Sequence, residues 1–232
     1  MKGKMIGRIL DRRAVLLYLS AWLLLFAVTP GQRGAMDVLG GFSPRGSRGL
    51  DIPGIMRWNL CVLPPVAASI LFVETEMGAL RNFTMMRAKN AKRWFLMRFT
   101  AIAAANLIFL LPFTGTAEAL MGRGEVGSGR FFVFLILFFG HSFVMSMVSV
   151  AFFAGRGGIR ASVISFLTVE GVMVVIGNAF PPAAACLPPY WGMIRQVEEA
   201  YDGGGLYPAL IMGATAAAIA GSAVFIIRSL RA

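Results

Sequence analysis

The chain has 232 residues, 57% of them apolar and only 14% charged, with a mean hydropathy of +0.72. Soluble domains are nearer half apolar and a quarter charged, and a soluble fold of this size cannot hide so much apolar surface, so residues 1–232 read as one membrane domain. The net charge of +11 would point to nucleic acid in a soluble protein; in a membrane protein such an excess gathers on cytoplasmic loops against anionic headgroups, and interleaved aromatics of a nucleic-acid binder are missing.

Crossing roughly 30 Å of hydrocarbon takes about 20 mostly apolar residues. Six stretches qualify, at about Ala14–Val28, Ile55–Val73, Phe95–Phe113, Phe131–Ala154, Ala161–Phe180 and Leu206–Ile227. The first is short; Ile9 and Leu10 extend it while Arg12 and Arg13 snorkel to the headgroups. Met1–Ala27 has the basic start and apolar core of a signal peptide, yet no small-x-small site follows Leu25, so it reads as an uncleaved span. The second stretch carries Pro64-Pro65, which removes backbone donors and predicts a bend.

With both termini in the cytoplasm, 15 of the 22 Lys/Arg fall inside and seven outside, as the positive-inside rule requires. The expected architecture is all-α: six transmembrane helices in a cell membrane, a cytoplasmic amphipathic helix after the second, and an external helical segment before the last. That external segment, Phe180–Tyr207, holds Pro181-Pro182, Pro188-Pro189 and Gly203-Gly204-Gly205. Between the prolines and the glycines the pattern predicts a helix over Tyr190–Tyr201, lying on the outer surface or re-entering it.

Glu74–Arg98, between the second and third spans, is amphipathic at 100° per residue: Arg81, Asn82, Lys89, Lys92 and Arg93 share one arc, opposite Leu80, Phe83, Met86 and Trp94. Such a helix floats on anionic lipid or docks in a partner's groove, and periodicity alone favours lipid. Arg87 stands seven residues before Trp94, Lys92 and Arg93 directly before it, and Arg98 four after, with Glu74 or Glu76 upstream. In this the segment resembles the coupling region of permease subunits of type-2 ABC exporters, especially small ones linked to peptide antibiotics and bacteriocins. It departs from that pattern at Lys89 and Ala91, where the family often has a small residue and a further Arg. The resemblance implies that Glu74, Glu76, Phe83, Arg87, Lys92, Arg93 and Trp94 contact a separate ATPase subunit. It also implies pairing with a second permease, as homodimer or heterodimer, and a peptide, antibiotic or lipid-like substrate. ATP and Mg would sit on the partner, since the chain has no Gly-x-x-x-x-Gly-Lys-[Ser/Thr] loop.

His141 and Glu170 lie near the middle of the fourth and fifth spans, where ionised groups cost about 2.5–3.5 kcal/mol and face a partner or water. A direct pair would be proton-sensitive or touch substrate. The reading favoured by the sequence is that both are neutral and separately satisfied by hydroxyls such as Ser142, Ser146, Ser165 or Thr168; Asn106 is a weaker case of the same kind. One His and two Cys exclude most metal sites, since structural zinc takes about four such ligands. Cys61 and Cys186 both lie toward the outer side, and the sequence favours two free thiols over a disulfide. Gly127-Ser128-Gly129 lacks the Gly-x-Ser-x-Gly spacing of a nucleophile and reads as an outer loop. Gly213, Ala217 and Gly221 form a small-xxx-small face, read as packing inside the bundle. Two other functions compete: the substrate-binding membrane component of a small-molecule importer, and a polytopic enzyme. The first span has no convincing small-xxx-small grip for an importer scaffold, and the second has no catalytic cluster beyond His141–Glu170.

Overall fold

The computed structural model describes residues 12–28, 38, 40–41, 50–78, 91–121, 128–154, 159–184, 186–193 and 206–229. Every regular element among them is helical: α1 (Arg12–Val28), α2 (Ile52–Gly78), α3 (Ala91–Met121), α4 (Gly129–Ala154), α5 (Ile159–Ala179), the single turns α6 (Pro181–Ala184) and α7 (Pro188–Trp191), and α8 (Leu206–Ser229). Among the described residues, four helices are long and apolar enough to cross a membrane, over Ile52–Thr75, Arg98–Thr116, Gly129–Phe153 and Arg160–Ala179. Their outer faces are apolar too: Ile136 is 70% and Ile164 62% exposed, which water would penalise and lipid does not. The chain is an all-α, multi-pass membrane protein. Of the six expected spans, α1 has 17 residues and α8 contributes the shorter apolar stretch Gly213–Ile226.

Local chemistry sets the helix starts. Asp51 caps α2, its Oδ1 accepting from the Gly54 amide at 3.3 Å and its carbonyl from Ile55 at 2.9 Å, with Pro53 in the first turn where no amide is needed. Ser128 caps α4 through a 3.1 Å bond from the Phe131 amide to its Oγ; the serine expected in a loop is a helix cap. Helices also outrun their apolar spans. α2 continues from Val73 to Gly78, through Pro64 and Pro65, and α3 runs from Ala91 to Met121, well beyond Phe95–Phe113. Helix formation depends on backbone hydrogen bonds and side-chain propensity, not hydropathy, so Glu-, Met- and Ala-rich ends carry it past the membrane.

α2 and α4 form the centre. α2 packs on α1, α3, α4 and α5, and α4 also meets α3, α5, α7 and α8. α1 reaches α3 through aromatic rings: Tyr18, Trp22 and Phe26, four residues apart, lie against Phe109 and Phe113, with centroid distances of 5.2 Å for Tyr18–Phe109, 6.0 Å for Trp22–Phe113 and 5.5 Å for Phe26–Phe113. Tyr18 donates its hydroxyl to the Ala105 carbonyl at 2.9 Å, so its polar tip is satisfied inside the bundle.

One expectation fails here. Gly213, Ala217 and Gly221 are exposed, and a Cβ on Gly213 or Gly221 would meet nothing within 4 Å; this face points away from the bundle because α8 turns its Ile211–Ile226 side inward. Of the helix expected over Tyr190–Tyr201, only Tyr190–Met193 fall among the described residues. There Pro188–Trp191 form a single turn capped by Gly192, with two prolines fixing its start, and the remainder lies outside the described residues. Tyr190 and Met193 are fully buried against the bundle, so this segment tucks inward.

Phe109 is fully buried and Phe132 is 56% exposed. Phe→Ala in a water-soluble core costs roughly 3–5 kcal/mol, but lipid is as apolar as the ring, so only the packing part is lost in a bilayer. Phe109→Ala is therefore expected to lower the unfolding temperature in detergent clearly, and Phe132→Ala to leave it nearly unchanged.

Candidate functional site

Where α2, α4 and α5 meet, Trp58, His141 and Glu170 form a buried cluster, 1%, 5% and 0% exposed. Glu170 Oε1 accepts from Trp58 Nε1 at 2.9 Å and lies 3.1 Å from His141 Nε2. Indole N–H can only donate, so Trp58 treats Oε1 as an acceptor. A bond from His141 to the same oxygen places the imidazole proton on Nε2 and leaves Nδ1 as the ring's other polar atom. The second carboxylate oxygen, Oε2, finds no partner among the described residues. The Trp58 ring lies beside the imidazole, centroids 5.4 Å apart, and stands edge-on to Phe138 at 5.7 Å.

The segment after α5 roofs this cluster. Leu187 is extended, the Tyr190 amide returns to its carbonyl at 3.0 Å, and Met193 repeats the turn onto Tyr190 at 3.1 Å. That curl brings Gly192 so near that a Cβ there would stand 2.6 Å from His141 Cβ and 3.1 Å from the Trp58 ring. Tyr190 lies across Gly177, where a Cβ would fall 2.2 Å from its ring, and donates its hydroxyl to the Val174 carbonyl at 2.6 Å. Burial, then the neighbouring Glu170 carboxylate, push the Tyr190 phenol above its ordinary value. Met193 in turn covers Gly41, whose φ of +81° and lack of a side chain permit the contact.

Of the hydroxyls expected to satisfy His141 and Glu170 separately, Ser142 and Ser146 bond elsewhere, and the two residues meet directly. Ser142 donates to Asn106 Oδ1, and Asn106 Nδ2 bonds the Ile102 carbonyl at 2.9 Å and Ser146 Oγ at 3.1 Å. The reason is angular: on α4, Ser142 and Ser146 are one turn apart and face α3, while His141 is turned about 100° away toward α5. Asn106 thus belongs to a separate polar node linking α3 and α4. On its other side His141 borders a cavity of about 260 Å³ between α4, α7 and α8, otherwise lined by side chains such as Val144, Trp191, Ile211 and Thr215.

The residues of the expected coupling region are divided between α2, α3 and the residues between them that are not described. Glu74 is half-buried near the end of α2 and Glu76 lies in the same helix; Lys92, Arg93 and Trp94 are in the first turn of α3; Phe83 and Arg87 lie outside the described residues. Of the amphipathic stretch Glu74–Arg98, residues up to Gly78 belong to α2 and those from Ala91 to α3, and 79–90 lie outside the described residues. Cys61 is a buried and Cys186 an exposed free thiol. No group of three or more His, Cys, Asp or Glu suited to a metal ion occurs among the described residues. Compared with protein-family models, curated proteins and solved structures, the chain matches none.

Trp58, Tyr190 and Gly192 were not singled out from the sequence. The available signal was Trp58 itself, whose N–H must find an acceptor when its span is buried, and Glu170 is the one carboxylate midway along a span.

Leaving a buried polar partner unpaired costs about 1–3 kcal/mol. His141→Gln and Glu170→Gln are each expected to destabilise the protein on that scale in detergent melting, with the double variant no worse than the poorer single one; additive losses would mean the two do not act as a pair. The raised Tyr190 phenol has its own consequence. Above pH 10.0, its ordinary pKa, the unfolded chain releases a proton that the native state holds, so stability is expected to fall as pH rises further. Tyr190→Phe should lessen that decline.

Proposed function

We propose that this chain is the permease subunit of an ATP-driven ABC exporter, with six spans, both termini in the cytoplasm of a cell-membrane protein, and ATP hydrolysed on a separate partner subunit. The observation that carries the reading is the Arg87–Lys92–Arg93–Trp94–Arg98 sequence pattern, whose members from Lys92 onward open the long helix α3. α2 and α3 extend past their apolar spans, which end at Thr75 and begin at Arg98, to Gly78 and Ala91. A push on residues 79–90 would therefore be passed directly to two rigid rods rather than absorbed by loops. α2 is also the helix that carries Trp58 and packs on α4 and α5. Movement of α2 by an ATPase would thus reach the Glu170 cluster and the cavity beside His141, as expected of rigid-body switching between inward- and outward-facing states. The outward-facing Gly213, Ala217 and Gly221 of α8 offer a close-packing face to a second permease. The charge distribution supports the orientation.

A second reading, a polytopic membrane enzyme, draws on one observation: an imidazole and a carboxylate within hydrogen-bond reach beside a cavity, the composition of a general acid–base pair.

Two measurements separate these. Reporters fused after Ala232 and within 81–92 are both expected in the cytoplasm; one on each side would overturn the six-span topology. Co-purification with an ATPase, and its loss together with transport-linked ATP turnover in Arg87→Ala/Trp94→Ala while membrane insertion is unchanged, is expected of a permease. A chain that retains activity with no ATPase bound would be the enzyme.

A further inference from the structure

Ser162, Phe166, Glu170, Val174 and Asn178 follow at four-residue intervals along α5, and all five are buried, none above 3% exposed. The three polar members share one property. Ser162 Oγ, Glu170 Oε2 and both amide atoms of Asn178 find no hydrogen-bond partner among the described residues. They stand about 12 Å apart along the axis, eight residues at 1.5 Å each, and together cover about 24 Å of a hydrocarbon layer roughly 30 Å thick. Buried polar atoms that protein leaves unpaired are met by water or an ion. A metal cation would suit the carboxylate and the amide oxygen of Asn178 but not its NH₂ group. Water donates and accepts, and so serves all three levels.

We infer that α5 lines a water route with stations at Ser162, Glu170 and Asn178, and that this route brings protons to the buried Glu170 carboxylate. Phe166 and Val174 alternate with the stations, two apolar constrictions of the kind that hold a pore dry, so the route is closed in this conformation. The proton step is simple: hydrated H⁺ passes to Oε2, forming an O–H bond and leaving a neutral water, and returns by the reverse transfer. Oε1 keeps its bonds from Trp58 and His141 throughout, so the charge of the cluster changes without dismantling it. From the elements packed against α5, the titratable groups near this level are His141 of α4, Tyr190 of α7, and Arg57 and Cys61, both within one turn of Trp58 on α2; α6 has none. The route rests on the geometry of α5 and does not depend on the assignment of an ATPase partner.

The test begins with a Cys61→Ala/Cys186→Ser background reconstituted in vesicles. Ser162→Cys and Asn178→Cys are expected to react with a small, water-soluble, cationic thiosulfonate several-fold faster than Ile164→Cys and Ile176→Cys, which occupy similar depths on the exposed side of α5 at 62% and 41%. Equal or slower reaction would overturn the water route. Proton flux, read by an enclosed pH dye after an imposed gradient, tests what the water carries. Phe166→Ala is expected to raise the flux several-fold and Phe166→Ala/Glu170→Gln to return it to the parent level. A leak that survives Glu170→Gln, or reactive cysteines with no leak in Phe166→Ala or Val174→Ala, would overturn proton transfer through this carboxylate.

Discussion

Glu170 has no exposed surface, stands midway along α5, and takes bonds at one oxygen from Trp58 of α2 and His141 of α4. A charge in hydrocarbon cannot be left to find its own partner, because the alternative there is no solvent at all. The relative heights of α2, α4 and α5 are therefore fixed by one acceptor atom. A sliding movement of a single turn, about 5.4 Å, would take either donor out of reach. Apolar packing alone would tolerate such a slip far better, since Leu, Val and Phe are interchangeable neighbours in lipid.

Around that fixed point the rest of the bundle arranges itself by size. The aromatic ladder of α1 and α3 spans a gap that smaller side chains would leave open, and the Asn106–Ser142–Ser146 node ties α3 to α4 beside the main cluster. The turn at Leu187–Met193 closes the other side, but only because Gly177, Gly192 and Gly41 have no Cβ where Tyr190, His141 and Met193 need the space. Three glycines far apart in sequence thus serve one enclosure.

Hydropathy made the existence and approximate positions of four spans legible, since the membrane acts on averages over about 20 residues. It could not mark the ends of α2 and α3, where polar residues continue a helix that lipid no longer requires. The His141–Glu170 pair was visible as two residues at similar depth, yet depth leaves rotation undetermined, and nearby hydroxyls looked equally able partners. Only the angular offset between His141 and Ser142 decides between them. Gly213, Ala217 and Gly221 show the same limit: small residues at four-residue spacing reveal a face, and tertiary context decides which way it points. At the external segment, Pro188-Pro189 and Gly192 define a single turn that the sequence pattern did not mark.

The roof over the cluster also bears on how the chain is made. Trp58 and His141 precede Glu170 in synthesis, so the carboxylate enters the bilayer with both of its donors already delivered. Tyr190 and Gly192 follow within about two dozen residues and seal the pocket from the far side. Gly41, made long before, receives Met193 only at that moment. N-to-C order and the order of need coincide, so the costliest group in the membrane need never cross it alone. The same sequence of helices permuted to place α5 first would hold every contact of the finished fold and still face insertion with an unaccompanied carboxylate.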